Sequence, residues 1–135
     1  MCSNCEKLII KSNEKEIIKV ENALYQYFKQ KNIPFNNFNK VLLCISEAII
    51  NAIHHGNKND ISKNVVISII YDEDSICAEI KEEGKGFDFN CINDPTKMEY
   101  IKKESGRGLH IIKSLCDKLE FKDQGSSVRI KIRVR

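Results

Sequence analysis

Apolar residues recur along this chain in two rhythms, and the way these alternate predicts the order of its elements. KLIIKS (7–12) is a short apolar run that predicts a first strand. Asn13, with Glu16 three residues later, marks a helix start. Ile17, Ile18, Val20, Leu24, Tyr27 and Phe28 then repeat at helical spacing up to Lys31. Asn32 to Asn37, with Pro34, breaks that helix, and Phe38 to His55 predicts a second, more buried one. VVISIIY after Asn64 and the alternating SICAEI (75–80) predict two antiparallel strands around the turn YDEDS. The stretch from Asn90 to Ser105 holds Pro95, several charges and no clean period, and reads as a mobile loop. GRGLHIIKSLCDKL (106–119) suits a third helix, and LEFKD and SSVRIKIRV suit two closing strands joined by QGSS.

This order pairs strands locally and clusters helices. It predicts an α+β fold, a two-layer α/β sandwich with helices on one face of a mixed, mostly antiparallel sheet. The regular strand–helix alternation of a doubly wound parallel fold is missing. At 135 residues the chain fits one domain, residues 1–135, with one core.

Composition narrows the function. Hydrophobic residues make up 41% and charged residues 30%, a globular balance without the bias of a disordered chain. The longest apolar runs are interrupted by Glu or Asn and fall short of the roughly 20 residues of a membrane span. The opening MCSNCEKLIIKS lacks the pattern of a secretory signal, so a cytoplasmic protein is expected. The 22 basic and 19 acidic residues are interspersed, which disfavours a direct nucleic-acid binder. In SSVRIKIRVR the basic residues alternate with Val and Ile, as on a strand's solvent face. The six cysteines read as reduced thiols, several within apolar segments. Cys2 and Cys5 make half of a zinc site with no second half at matching spacing.

Three places break the patterning. The second helix is apolar around most of its circumference, yet Glu47 and Asn51 lie one turn apart on one face, with His54 and His55 continuing the stripe. A carboxylate set in so much apolar surface is costly unless something in a cleft uses it, and the Asn51 carbonyl suits a hard cation such as Mg²⁺. EEGKGF (82–87) follows directly on a strand; its glycines permit close backbone approach, and Glu82 can accept a hydrogen bond from an exocyclic amine. SGRGL (105–109) precedes a helix, where exposed N–H groups at the positive dipole end stabilise phosphate oxygens. Each glycine pair alone also fits an ordinary turn or hinge.

Taken together these residues resemble the GHKL nucleotide-binding superfamily, whose members share the Bergerat sandwich. EAIINAIHHGN (47–57) resembles its N box, EEGKG (82–86) its first glycine box and GRGL (106–109) its second. Walker-type and dinucleotide motifs are missing. SEAIINAIHHGN and SGRGLHIIKSLCDKLEF look most like the anti-sigma factor serine kinases of bacterial partner switching. The resemblance implies a kinase that binds ATP with Mg²⁺, phosphorylates a serine on an anti-anti-sigma (STAS-domain) protein, and sequesters a sigma factor or another effector. It also implies a homodimer. It makes Glu47 the general base and Asn51 the Mg²⁺ ligand bridging metal and phosphates, and it counts His55 of the N box among the nucleotide contacts. Glu82 would read the adenine, Gly84 and Gly86 would let the backbone approach the base, and Gly106, Arg107, Gly108 and Leu109 would sit at the phosphates. On residue type alone His54, His55 and His110 read as structural or exposed, and Lys102 and Lys103 of the expected ATP lid as solvated.

This chain departs from the superfamily at Glu82, where aspartate is usual. An imperfect bond to adenine there would cost about 1–2 kcal/mol, roughly tenfold in affinity. Two other readings follow. One is a histidine-kinase catalytic domain acting in trans, although no histidine precedes Glu47 to serve as acceptor. The other is a nucleotide-dependent binding module without transfer activity.

Overall fold

The structure is a computed structural model that describes residues 5–83, 106–123 and 126–135, with only the backbone described for Gly106 and Arg107. Its elements are β1 (Cys5–Lys11), α1 (Ile17–Gln30), α2 (Phe38–Asn51), β2 (Asn64–Asp72), β3 (Ser75–Glu82), α3 (Gly106–Leu115), β4 (Lys118–Lys122) and β5 (Ser127–Arg133). The described strands form one sheet in the order β1-β2-β3-β5-β4, and its four pairings are all antiparallel. The expected parallel component of a mixed sheet does not occur among the described residues. Cys2, the first glycine box beyond Glu83 and the whole Asn90–Ser105 segment lie outside them.

Strand alternation decides which side is buried. Val65, Ile67 and Ile69 of β2, Ile76, Ala78 and Ile80 of β3, and Ile130 and Ile132 of β5 face one way and are buried. Val20, Leu24 and Phe28 of α1, Val41, Ile45 and Ile49 of α2, and Leu109 and Ile112 of α3 join them in one core. Each fully buried aliphatic or aromatic side chain contributes about 1.5–3 kcal/mol, so this interface holds the two layers together. On the opposite sheet face Arg129, Lys131 and Arg133 are exposed, as the alternation of the C-terminal segment predicts, and Arg129 pairs with Glu79 at 3.1 Å.

The helix boundaries differ from the sequence expectation for local reasons. Asn13 accepts a hydrogen bond from the Lys15 amide, and Glu16 reaches back to the Lys11 amide at 2.8 Å. This closes a 3₁₀ turn (Glu14–Glu16) ahead of α1. Asn32, at φ 55°, ends that helix in the left-handed conformation asparagine tolerates, and the Ile33 amide bonds back to the Phe28 carbonyl. The third helix stops at Leu115 rather than running to Leu119. Asp117 donates its amide to the Lys131 carbonyl and accepts the Arg133 amide, so sheet pairing captures the chain first.

The second helix changes character after Asn51. Ala52–Gly56 forms a π-helical turn closed by the Asn57 amide on the Ala52 carbonyl at 2.8 Å. Such wide turns re-aim the residues beyond them and recur at functional sites.

Two stability predictions arise here. Glu73 takes φ 57° in the two-residue turn between β2 and β3, a conformation costly for a side chain with a Cβ. Glu73→Gly is expected to stabilise the fold by about 0.5–1 kcal/mol in urea unfolding. Cys44 is fully buried on α2, and burial pushes its thiol up to about 11, with Cys116 acting in the same direction. The folded state therefore keeps a proton that the unfolded chain releases near the ordinary value of 9.0. The stabilisation is complete below that value and is lost as pH climbs from about 9 to about 11. Urea midpoints measured across this window should fall, and Cys44→Ala should flatten the decline.

Candidate functional site

Glu47 and Asn51 stand one turn apart at the C-terminal end of α2, where the helix meets the end of β3 and the start of α3. Asn51 is 8% exposed, and its Oδ1 is buried with no hydrogen-bond partner among the described residues. An uncommitted buried carbonyl oxygen is costly without a ligand, and a hard cation carrying phosphates takes this kind of neutral oxygen. The donor set therefore fits Mg²⁺.

Glu82 reaches the same place from the sheet. It has the parity of Ile76, Ala78 and Ile80, so the pleat that buries those residues turns its carboxylate into the helix layer, where it is 7% exposed. Its amide bonds to the Ser126 carbonyl at 2.9 Å, which fixes the strand end.

The third contribution is the first turn of α3. A Cβ placed on Gly108 would stand 2.7 Å from Glu47 Oε2. Glycine lets the helix start close onto the acid, and the positive end of the helix dipole faces a carboxylate there. Leu109 is buried beside it. Gly106 and Arg107 open the helix; the Arg107 side chain lies outside what the structure describes, as do Gly84 and Gly86 entirely.

Asn51, Glu82 and Leu109 line one cavity with Ala48, Ala52, Ile80, Ile112, Phe121, Ser126 and Val128. Apolar walls with a few convergent polar groups are the usual make-up of a small-molecule site. The cavity measures about 10 Å³, room for about one water.

Neither His54 nor His55 is among the described residues lining this cavity. His54 contacts Asn59 through Nδ1 and lies 3.4 Å from Glu14 through Nε2, and His55 is half-buried in the π turn.

Sequence reasoning gave no role to Asn57. It is completely buried, and its amide is satisfied three ways: Nδ2 donates to Ser12 Oγ (2.9 Å) and to the Asn64 carbonyl (3.0 Å), while Oδ1 accepts the Glu83 amide (2.9 Å). Asn57 thus ties the π turn to β2 and to the peptide following Glu82. A Gly-Asn pair after a helix signals only a helix stop, so sequence carried no hint of this role.

Comparison with known proteins identifies the family and the fold. The model of the histidine kinase-like ATPase domain matches residues 10–132. A serine-protein kinase RsbW of Bacillus cereus is 28% identical over 101 residues, covering 70% of this chain and 62% of that protein. The RsbW of Staphylococcus epidermidis is 25% identical over 111 residues, covering 75% and 69%. The chain therefore spans less than two thirds of the Bacillus relative's length. The crystal structure of the RsbU and RsbW domains of a Mycobacterium tuberculosis protein superposes with a TM-score of 0.65 at 14% identity, covering 97% of this chain and 32% of that one, a likeness of fold. With most of its length matched, the chain belongs to the histidine kinase-like ATPase domain family and is a distant relative of the RsbW kinases.

Proposed function

We propose that this chain is an ATP-dependent serine-protein kinase of the partner-switching type. The observation that supports it best is convergence of three separate chain segments: Asn51, Glu82 and Leu109 line one cavity, and Glu47, one turn before Asn51, abuts Gly108 next to Leu109. In this reading Glu82 accepts the adenine 6-amino group, with Gly84 and Gly86 beside the base. Gly106, Arg107, Gly108 and Leu109 receive the phosphates, with His55 at the margin. Asn51 would hold Mg²⁺, which would neutralise phosphate charge during transfer.

Glu47 orients the acceptor serine and takes its hydroxyl proton as the serine oxygen attacks the γ-phosphorus. The bond from that phosphorus to the β–γ bridging oxygen breaks, and ADP leaves. The acceptor is a STAS-domain anti-anti-sigma protein and the sequestered partner a sigma factor or another effector. The protein acts as a cytoplasmic homodimer, and residues 1–135 form one ATPase domain. No described helix is long and apolar enough to cross a membrane.

The test is transfer of label from γ-labelled ATP with Mg²⁺ to a purified STAS-domain partner. Labelled partner serine, lost with Glu47→Ala, is the expected result. Bound ATP that persists without labelling the partner would instead identify a nucleotide-dependent binding module, a reading that Glu82 in the usual aspartate position favours.

A further inference from the structure

Gly56 closes the π turn directly beneath Glu82. A Cβ added there would fall within 3.0 Å of Glu82 Oε1, Oε2 and Cδ, closer than real Cβ atoms approach anything. The backbone does not explain the glycine, because its φ lies outside the left-handed region. Space does. The strand end that carries Glu82 is held on both sides, by the Glu82 amide on the Ser126 carbonyl and the Glu83 amide on Asn57 Oδ1. An added methyl at Gly56 therefore displaces the carboxylate and leaves the strand where it is.

We infer that Gly56 is a positioning residue for purine recognition: the π turn presents a side-chain-free backbone into which the long Glu82 carboxylate folds, and so sets where that carboxylate meets the base. The inference rests on the reading of Glu82 as the group that accepts the 6-amino hydrogen bond. It explains how a glutamate serves where a shorter acid would reach directly. The extra methylene is accommodated by folding the carboxylate against the glycine, with Asn57 keeping the peptide from retreating.

The test is a cycle of Gly56→Ala in three backgrounds: native Glu82, Glu82→Asp, and Glu82→Gln. Two quantities are read, the ATP-over-GTP affinity ratio by calorimetry with Mg²⁺ and the urea midpoint without nucleotide. In the native background Gly56→Ala should weaken ATP about tenfold and leave GTP little changed, because the displaced carboxylate loses the 6-amino bond. Shortening by Glu82→Asp should confine the further effect of Gly56→Ala to about threefold or less, whereas the equally long Glu82→Gln should show the full midpoint loss. Equal losses on adding Gly56→Ala in all three backgrounds would overturn the inference, since the glycine would then act independently of the side chain above it. Should Gly56→Ala alone fail to fold, recovery of folding with Glu82→Asp but not with Glu82→Gln is the expected result, and failure of both is the contrary one. A wild-type chain that binds no ATP would remove the kinase reading, while the nucleotide-free midpoints still report whether Gly56 places Glu82.

Discussion

Glu47→Gln is expected to lower phosphoryl transfer to the partner serine by about 10²–10⁴-fold while leaving ATP affinity within a few-fold of wild type. The substitution keeps the shape that packs on Gly108 and removes the carboxylate's capacity to take a proton. Asn51 one turn away and Glu82 on β3 remain in place to hold metal and base. Single-turnover labelling of the partner, with calorimetry of ATP binding on the same variant, separates the two effects. Retained transfer would place the base elsewhere; lost binding would make Glu47 part of the nucleotide floor. Gly108→Ala is the companion measurement, because its methyl would press on Glu47 Oε2 from the helix side.

Asn57→Ala is expected to destabilise the fold by about 2–5 kcal/mol, a large share of the roughly 5–15 kcal/mol that holds a domain folded. It leaves the Glu83 amide and the Asn64 carbonyl without the partner they have now, around a side chain that is itself fully buried. Asn57→Asp should be worse. The Ser12 hydroxyl already donates to the Lys63 carbonyl at 2.8 Å, so it offers Asn57 only a lone pair. A carboxylate there would face two acceptors with no proton to share and would be buried as a charge. Urea denaturation gives the magnitudes. A cost near zero for either variant would mean that the amide network adds nothing beyond packing. Because Asn57 also holds the peptide after Glu82, the surviving folded fraction should bind ATP more weakly.

Much of this architecture was legible because short-range periods carry it. The alternation in SICAEI and RIKIRV fixed which side of β3 and β5 is buried, and helical spacing fixed the buried stripes of α1 and α2. The pairing of Glu47 with Asn51 followed from their four-residue separation on one helix. The end of the third helix was not legible, because Leu115 to Leu119 is apolar enough to continue a helix. Only the competing amide partners on β5 stop it.

Sequence by itself determined the elements, their faces and the residue types able to handle a phosphate, since these depend on spacing within one segment. Tertiary structure alone decided that β5 lies between β3 and β4, and that the second helix widens into a π turn. It also decided that Gly56 and Asn57, the last two residues of the EAIINAIHHGN stretch, cradle and pin the strand end bearing Glu82. The reason is physical: the space that Gly56 leaves for Glu82 and the Asn57 bonds to Ser12 and to the Glu83 amide answer to neighbours 26 or more positions away, and no local periodicity encodes them.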